Sequence, residues 1–355
     1  MKIDVPTPGA CRPDRDATAT STAQPPCGGW RTPMQSQTWL DACYETLYPE
    51  RAKRLFRLDG AVGPFARVGR ALPSLVLAGA EELAEPIEPE VADAAGARAL
   101  SEALLAERRP IRFGSLPSDG LFATTFLAMT RGRGIVLAAP AGGSPVLRLD
   151  PSWTDPAARL TARRRADLRR AQRKAEAMGA VEIHVHAPDP AAVATMLDRA
   201  FAVEAGGWKA RERTAVLDNP RQEAFLRRYC AKLAAEGRCR IAFLDIAGRP
   251  AAMQIMVAED NALWLLKIGY DEAFGRASPG MLLLTDVVRR AAVDRLDRIE
   301  FLGKDAPWTA FWTTELRAHT RLHYYPGTPT GLASLLRDGT RVVLRRLRRR
   351  LLNRG

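Results

Sequence analysis

The chain is poor in cysteine and has no long apolar run. Its 355 residues include five cysteines, an odd number, without the paired spacing of a zinc site or a disulfide framework. They are Cys11, Cys27, Cys43, Cys230 and Cys239. No apolar segment follows the first Met, as a secretory signal requires, and none is long enough to cross a bilayer. These absences predict a cytoplasmic protein in a reducing compartment.

Histidine clusters are missing too. The sequence has four histidines, and His184 and His186, which share one face of a predicted strand, have no third ligand beside them. No Ser-His-Asp or Cys-His grouping can be recognised. We therefore predict no metal site and no nucleophile of the triad type.

Aromatic residues are nearly absent from the first thirty positions, where Pro, Thr, Ser, Ala and Gly dominate. Such a segment buries too little apolar surface to compensate for ordering its backbone. We therefore predict a disordered leader over residues 1–34. The remaining chain is long enough for two domains of ordinary size, which we place at 35–150 and 151–330.

The net charge of +13 is concentrated in two stretches of the chain. Residues 341–354 hold seven arginines and no acid, and residues 163–174 hold seven basic residues. Such charge suggests an anionic partner: a CoA-like cofactor, nucleic acid or an anionic membrane surface. The alternative is a solvated helix face.

Helical and strand patterns alternate along the chain, which predicts an α/β fold with a mixed sheet. In the first half we predict helices over 37–58, 97–107 and 121–130, and strands over 75–77, 111–113, 135–138 and 146–149. In the second half we predict helices over 163–178, 190–204, 220–237, 281–292 and 311–317, and strands over 181–185, 240–246, 251–258, 262–270, 298–302 and 322–325. We predict a separate basic amphipathic helix over residues 331–355, whose apolar stripe could alternatively pack on the body of the protein.

Ser278, Pro279 and Gly280 stand directly before the helix predicted over 281–292. Ser278 can cap the helix, Pro279 suits the first helical position, and Gly280 lets a ligand approach the backbone. The open amides and the helix dipole would then suit an anion such as a pyrophosphate. A well-capped crossover helix without a ligand is the alternative.

Several short motifs occur in an order typical of one family. They are Leu149-Asp150, the basic helix around 164–170 ending at Gly179, Glu204 with Trp208-Lys209, the Lys-Ile-Gly-Tyr-Asp segment 267–271, Ser278-Pro279-Gly280, and Phe301-Leu302-Gly303 with Pro307-Trp308. This set resembles the GNAT acyltransferases of the cellulose-biosynthesis type, which are related to the Fem-type aminoacyltransferases of peptidoglycan. The resemblance covers roughly residues 35–325.

The resemblance implies tandem GNAT-like domains, the first degenerate, and transfer of an acyl group from acetyl-CoA or another acyl-CoA. The acceptor would be an amine or hydroxyl, such as a sugar or a surface-polysaccharide precursor. The implied CoA-binding residues are Ser278, Pro279, Gly280 and Lys304, and the implied substrate-binding residues are Trp208, Lys209, Lys267, Tyr270 and Trp308.

Acyl transfer also needs a base for the incoming amine or hydroxyl. Asp271 is our first candidate because it ends the strand predicted over 262–270, although Asp in such a place also caps backbone amides. Glu204 and Glu300 are the other candidates. Glu204 could instead be a surface acid, and Glu300 would need a partner if buried.

Two features depart from the family pattern. The usual glycine-rich phosphate loop is replaced by Ser278-Pro279-Gly280. The family tends to carry an aromatic residue followed by Lys where this chain has Trp308 and Thr309; Lys304 is a candidate substitute. Thr309 favours an alternative in which the protein is a non-catalytic accessory associated with a membrane or polysaccharide.

A second alternative is Fem-like transfer from aminoacyl-tRNA, with the basic surfaces binding RNA. We expect nucleic acid less than a glycan or small-molecule acceptor, because no heptad pattern predicts the coiled-coil insertion that Fem-type enzymes often carry. The basic amphipathic tail would suit an anionic membrane surface, which would place a cytoplasmic protein at the inner face of the membrane.

Overall fold

The computed structural model describes residues 31–207, 215–303 and 305–352. Most of the predicted leader and three predicted site residues, Trp208, Lys209 and Lys304, lie outside the described residues. The predicted leader extends to residue 34, and its last residue, Met34, is 1% exposed and packs in the core.

Ten helices and twelve strands occur in the described residues. The helices are α1 (Gln37–Thr46), α2 (Ala80–Leu83), α3 (Ala94–Ala106), α4 (Leu121–Met129), α5 (Pro156–Arg159), α6 (Ala162–Glu176), α7 (Val193–Ala205), α8 (Pro220–Ala235), α9 (Pro279–Val293) and α10 (Pro329–Leu352). The strands are β1 (Lys53–Leu58), β2 (Ala61–Val68), β3 (Ser74–Leu77), β4 (Glu90–Val91), β5 (Ile111–Pro117), β6 (Gly134–Arg148), β7 (Val181–His186), β8 (Cys239–Ile246), β9 (Arg249–Glu259), β10 (Ala262–Tyr270), β11 (Arg298–Glu300) and β12 (Leu316–Pro326).

The strands form one mixed sheet in the order β1-β2-β3-β5-β12-β6-β11-β10-β9-β8-β7, with β4 paired to β2. β12, from the end of the chain, lies between β5 and β6 and is antiparallel to both. β6 pairs with β12 through residues 134–145 and with β11 through residues 146–148. The two halves therefore exchange strands, and the sheet crosses the domain boundary predicted at residue 150.

Both faces of β9 are buried along most of the strand. The segment of β9 from Ala251 to Val257 is almost entirely apolar, as expected of a strand covered on both sides. Met253 and Ile255 pack in the core formed with α7 and α8, whereas Ala252 and Met256 pack in the core formed with α6 and α9. This alternation fixes which side chains reach each face.

α9 connects two parallel strands, β10 and β11, that pair only briefly. Residues 262–264 of β10 pair with residues 298–300 of β11, where β11 ends, while β10 continues to Tyr270. A register shift between Leu265 and Lys267 marks a bulge where β10 faces β9. Beyond Trp264, β10 and β11 diverge.

Some predicted elements were wrong. The helix predicted over 37–58 ends at Thr46, and β1 and β2 follow as a hairpin around Asp59 and Gly60. Asp-Gly between two strands is a hairpin signal, and the hairpin pairing overrides the helical spacing. The helix predicted over 311–317 is a short 3-10 helix, Thr309–Phe311, followed by β12. The strands predicted at 135–138 and 146–149 form one strand, β6.

None of the described helices has an apolar stretch sufficient to cross a membrane. The cysteines that the structure describes, Cys43, Cys230 and Cys239, are buried and form no disulfide.

Candidate functional site

A cavity of about 530 Å³ opens where β10 and β11 diverge. The end of β10, the start of α9, the end of α7 and the segment around Trp308 form its walls. The predicted site residues that line it are Ser278, Pro279, Gly280, Glu204, Tyr270 and Trp308. The fold thus brings together six residues that are spread along the sequence from Glu204 to Trp308.

The start of α9 forms an open rim of this cavity. Ser278 is the N-cap residue, in the left-handed conformation (φ 49°, ψ 53°), and its side chain accepts no capping hydrogen bond. The first residue, Pro279, has no N–H group. A Cβ atom placed on Gly280 would meet no atom within 4 Å. Ser278 thus takes the predicted N-cap position, but its side chain makes no capping hydrogen bond, so the helix dipole faces the cavity without a capping side chain from Ser278.

Glu204 is a buried carboxylate in the cavity wall. It is 2% exposed, and its Oε2 accepts a hydrogen bond from the Val216 N–H at 2.9 Å. Gly269 of β10 lies directly against it, because a Cβ on Gly269 would lie 3.1 Å from the Glu204 Cα and Cβ atoms. The sequence alternative, a surface acid, was therefore wrong for Glu204.

Asp271 does not line the cavity. Its Oδ1 accepts a hydrogen bond from the Ala273 N–H at 2.8 Å, and its Oδ2 lies 3.7 Å from the Arg249 Nη2 atom. It caps the 3-10 helix Glu272–Ala277. This is the capping arrangement that the sequence also allowed for an Asp in this position.

Glu300 is fully buried in β11, outside the cavity lining. Its Oε1 accepts hydrogen bonds from Arg298 Nε and Arg317 Nη2, both at 3.1 Å. The two guanidinium groups supply charged partners for Oε1, while Oε2 is buried and has no hydrogen-bond partner among the described residues. Glu300 therefore has a structural role, since it binds two arginines where the two halves of the sheet meet.

Lys267 is half-buried and does not line the cavity. Its charge acts on Glu85, a residue of the first half. Burial raises the pKa of Glu85 to about 7, and the nearby Lys267 and the Gly303 N–H oppose that rise. The structure therefore places Lys267 beside an acid of the first half.

Trp308 presents its ring to the cavity and is 42% exposed. Its ring packs edge-to-face on Phe301, with 5.6 Å between centroids. The next residue, Thr309, is 1% exposed, and its Oγ1 donates to the Ala306 carbonyl at 2.7 Å. Thr309 thus stabilises the turn that carries Trp308.

Two glycines bring the chain to the cavity just before the undescribed segment 208–214. A Cβ on Gly206 would lie 3.2 Å from the Asp271 Cγ atom, and Gly207 itself lines the cavity. Trp208 and Lys209, the substrate-binding residues that the resemblance implies, fall outside the described residues, and their role stays a prediction.

The basic helix α6 contacts the cavity wall through one of its arginines. Arg164 Nη2 donates to the Ala310 carbonyl at 2.7 Å, and its guanidinium lies 5.5 Å from the centroid of the Phe311 ring, which lines the cavity. Arg163, Arg169 and Arg173 are exposed. The predicted charge run is therefore partly a structural support and partly an open basic surface.

Sequence reasoning missed part of the cavity lining. The apolar wall includes Met281, Phe311 and Trp312, and Gln254 of β9 contributes a buried amide. Gln254 could have been noticed as the one polar residue in the apolar run 251–257. The aromatic residues gave no signal, because the segment 311–317 had been predicted as an ordinary helix.

Potential metal ligands do not cluster in the part of the chain that the structure describes. The cavity combines an open helix start, a buried carboxylate and an apolar, aromatic wall.

Residues 162–309, which contain this cavity and α9, match the family model "Acetyltransferase (GNAT) domain". The chain carries a GNAT domain. The resemblance inferred from the sequence is thereby confirmed. No curated protein matches the chain.

Solved structures with a similar fold extend beyond the GNAT domain to most of the chain. The C-terminal DUF2156 domain of a protein described as a lysylphosphatidylglycerol synthetase from Agrobacterium fabrum aligns with a TM-score of 0.53 at 15% identity, covering 81% of this chain and 88% of that one. FemX aligns with a TM-score of 0.52 at 10% identity, covering 86% and 94%. A Bacteroides thetaiotaomicron protein of unknown function aligns with a TM-score of 0.53 at 10% identity, covering 82% and 90%.

At these identities the likeness concerns the fold alone. It confirms the predicted mixed α/β fold, which the structure builds as one large mixed sheet. The family match covers residues 162–309, so the assignment to the GNAT-fold acyltransferases concerns that part of the chain.

Proposed function

We propose that the protein transfers an acyl group, in the first instance acetyl, from acyl-CoA to an amine or hydroxyl acceptor. The observation that carries the proposal is the start of α9, which has no side-chain cap and forms the rim of the cavity between β10 and β11 in the GNAT domain. An anion at this helix start would be stabilised by the helix dipole and by the Gly280 N–H, since the Met281 and Leu282 N–H groups donate to the Ser278 carbonyl.

The donor would place its pyrophosphate near Gly280, where the backbone is open to approach. Its pantetheine arm would then follow the edge of β10 past Ile268 and Tyr270, which line the cavity. This arrangement delivers the thioester to the cavity while the charged end of CoA stays at the rim. Lys304, outside the described residues, is the further CoA contact that the family resemblance implies.

Glu204 is the best-supported base. In the reaction, the nitrogen or oxygen of the acceptor attacks the thioester carbonyl carbon, and Glu204 takes the proton from the acceptor. The C–S bond then breaks, and the CoA sulfur leaves as a thiolate that is protonated to the free thiol. A carboxylate held in a wall of the cavity fits this task better than Asp271, which caps a 3-10 helix.

The acceptor side would include Trp308 and Tyr270, with Trp208 and Lys209 outside the described residues. Exposed aromatic rings in a cavity provide flat apolar surfaces with polar edges. This supports a sugar or a surface-polysaccharide precursor as the acceptor.

A thermal-shift screen with CoA, acetyl-CoA, longer acyl-CoAs and tRNA tests the proposal. We expect CoA and acyl-CoAs to raise the melting temperature, because a ligand that binds only the folded state stabilises it. Stabilisation by tRNA and not by CoA would favour the Fem-like alternative, to which the exposed arginines of α6 lend some support. Stabilisation by neither would favour the non-catalytic alternative, which Thr309 suggests.

We also propose that α10 attaches the protein to an anionic membrane surface, as a cytoplasmic protein peripheral to the inner membrane. Leu332, Leu336 and Leu344 are between 56% and 63% exposed. Successive members of this set are four and eight residues apart, so one helix face presents leucines to solvent. The sequence places Arg341 and six further arginines in the same stretch.

Each basic residue at an anionic surface contributes about 1 kcal/mol, and an exposed apolar face adds to this. Co-sedimentation with anionic vesicles compares the full chain with a Leu336→Ser/Leu344→Ser double variant, whose exposed side chains leave the core intact. We expect the full chain to sediment more strongly. Equal sedimentation of both proteins would reject insertion of this face into the membrane.

A further inference from the structure

Gln254 is a buried amide that points into the cavity. It lies on β9, is 3% exposed, and lines the cavity beside Ile268, its register partner on β10. Its Oε1 atom is buried and has no hydrogen-bond partner among the described residues. On the same face of β9, its neighbours Ala252 and Met256 are fully buried apolar residues.

An unpartnered amide oxygen in such surroundings destabilises the free protein. Burying a polar group without a hydrogen bond costs more than burying an apolar group of the same shape. Native structures contain few such atoms, and each calls for an explanation, such as a catalytic role or a bound group that supplies the missing partner. The position of Gln254, in a cavity wall and not deep between packed elements, fits that explanation.

We infer that Gln254 is a specificity-determining residue whose Oε1 accepts a hydrogen bond from an N–H or O–H group of the bound substrate. The inference rests on the proposed function, because the cavity is the one proposed to hold the acyl donor. It adds a requirement to that function: at the depth of Gln254 the ligand carries a hydrogen-bond donor.

The acetyl group itself has no such donor, so the partner belongs to another part of the reacting pair. The amide N–H groups of the pantetheine arm, a hydroxyl on a longer acyl chain, and the amine or hydroxyl of the acceptor share the required chemistry. Ile268, Met281 and Leu284, which also line the cavity, are apolar and offer no hydrogen-bonding side-chain group.

The test compares wild type with Gln254→Met, which keeps the length of the side chain and removes its polar atoms. Loss of an unpaired buried oxygen predicts a melting temperature equal to or above that of wild type. Loss of a ligand contact predicts about a tenfold loss of affinity or of kcat/KM. If Gln254 had only a structural role, the substitution would lower the melting temperature and the ligand affinity together. The two measurements therefore distinguish the two roles.

Met256→Leu is the matched control, because Met256 lies on the same face of β9 outside the cavity lining. We expect it to leave ligand affinity unchanged. Calorimetry with CoA, acetyl-CoA and 3-hydroxybutyryl-CoA, together with the KM for the acceptor, identifies the donor group. An equal loss of affinity for CoA and both acyl-CoAs would assign the donor group to the pantetheine arm. A loss of affinity confined to 3-hydroxybutyryl-CoA would assign it to the acyl chain, and a raised KM for the acceptor would assign it to the acceptor.

Unchanged affinity and kinetics in Gln254→Met would overturn the inference, as would a lower melting temperature that accompanies the loss of binding. Failure of the proposed function would appear earlier, as the absence of CoA binding to wild type. That result would remove both proposals, whereas an unaffected Gln254→Met variant of a CoA-binding protein would remove only this one.

Discussion

The two halves of the sheet each contain a parallel strand pair joined by a crossover, but only the second pair borders the cavity described here. β3 and β5 pair through Leu75 and Val76, as β10 and β11 pair through residues 262–264. After β3, the Gly79 N–H donates to the Tyr48 hydroxyl at 3.0 Å. A Cβ on Gly79 would lie 2.9 Å from the Cys43 sulfur. Side chains from α1 and the residues just after it thus occupy the end of β3, whereas the end of β10 lines a cavity.

The crossover helices differ in the same way. At the start of α3, the Asp93 side chain accepts from the Gly96 N–H at 2.8 Å, and a Cβ on Gly96 would lie 2.2 Å from the Gly60 carbonyl oxygen. At the start of α9, Ser278 makes no side-chain cap and Gly280 faces open space. A glycine near the helix start serves close packing in the first half and leaves room for a ligand in the second.

This difference shows that the strand-helix-strand pattern does not by itself make a site. In the first half, the start of α3 makes internal contacts that stabilise the fold. The second half leaves its helix start and a carboxylate in the cavity, which fits a retained chemical role. The degenerate GNAT-like unit that the sequence predicts for the first half stays a prediction.

The largest expected effect concerns the carboxylate in the second half. Glu204→Gln keeps an oxygen that can accept from the Val216 N–H but cannot take a proton. We expect kcat/KM for acyl transfer to fall by roughly a thousandfold, the range of a lost general base, with CoA affinity unchanged. Steady-state kinetics and calorimetry check this. Glu88→Gln, which changes a buried acid of the first half, is the control and should leave kcat/KM unchanged. Activity retained by Glu204→Gln would show that the base is another residue.

The two helix-start glycines give a matched pair for stability. Gly96→Ala forces a methyl group against the Gly60 carbonyl, so we expect a loss of about 3 kcal/mol in the free energy of unfolding. Gly280→Ala meets open space and replaces glycine within a helix, so we expect a gain of up to about 1 kcal/mol. Denaturant unfolding measures both. Similar effects of the two substitutions would contradict the contrast between a closed and an open helix start.

Glu88 gives the first half a pH dependence. It is 3% exposed, and its Oε1 accepts from the Ala123 N–H at 3.4 Å near the start of α4. Burial raises the pKa of Glu88 to about 7, above its value in the unfolded chain. The folded state therefore binds the proton more tightly, and the stability from this group is present at low pH and is lost as the pH rises through about 7.

Between pH 5 and pH 8 this loss amounts to on the order of 2 kcal/mol of the free energy of unfolding. Glu88→Gln has no proton to lose, so its stability should fall less across that interval. Urea unfolding at both pH values compares the two proteins. An identical pH dependence in the variant and in wild type would show that Glu88 does not titrate in this range.

Much of the second half could be predicted from the sequence. The strands β8, β9 and β10 and the helix α9 follow local patterns, because buried strands are apolar runs and amphipathic helices show a regular period. The first half was predicted less well, since β1 and β2 depend on pairing with each other and hydrophobic spacing alone suggested a helix over 37–58. β12 was predicted as a short strand because nothing local records that β6 lies beside it.

The site was predicted in part for the same physical reason. Ser278, Pro279 and Gly280 are contiguous, so their meaning could be derived from the chain itself. Glu204 and Asp271 could not be ranked, because burial and hydrogen bonding decide between them and both depend on tertiary contacts. Gln254 carries a signal in its apolar strand, but its unpartnered oxygen is a property of the folded molecule.

Gly280 offers the most direct test of the central claim, that the open start of α9 binds the pyrophosphate of CoA. Gly280→Asp places a negative charge at the rim, where a Cβ meets no atom within 4 Å. An acid in the first turn suits the helix dipole, so the fold should be preserved. Gly280→Ala adds the methyl group without the charge and is the control.

Calorimetric titration of CoA into wild type and both variants measures the effect. We expect Gly280→Asp to lose more than a hundredfold in CoA affinity, because its carboxylate repels the pyrophosphate and takes the space it needs. Gly280→Ala should bind within a few fold of wild type. CoA affinity in Gly280→Asp equal to that of Gly280→Ala would contradict the account and would move the donor away from this helix start.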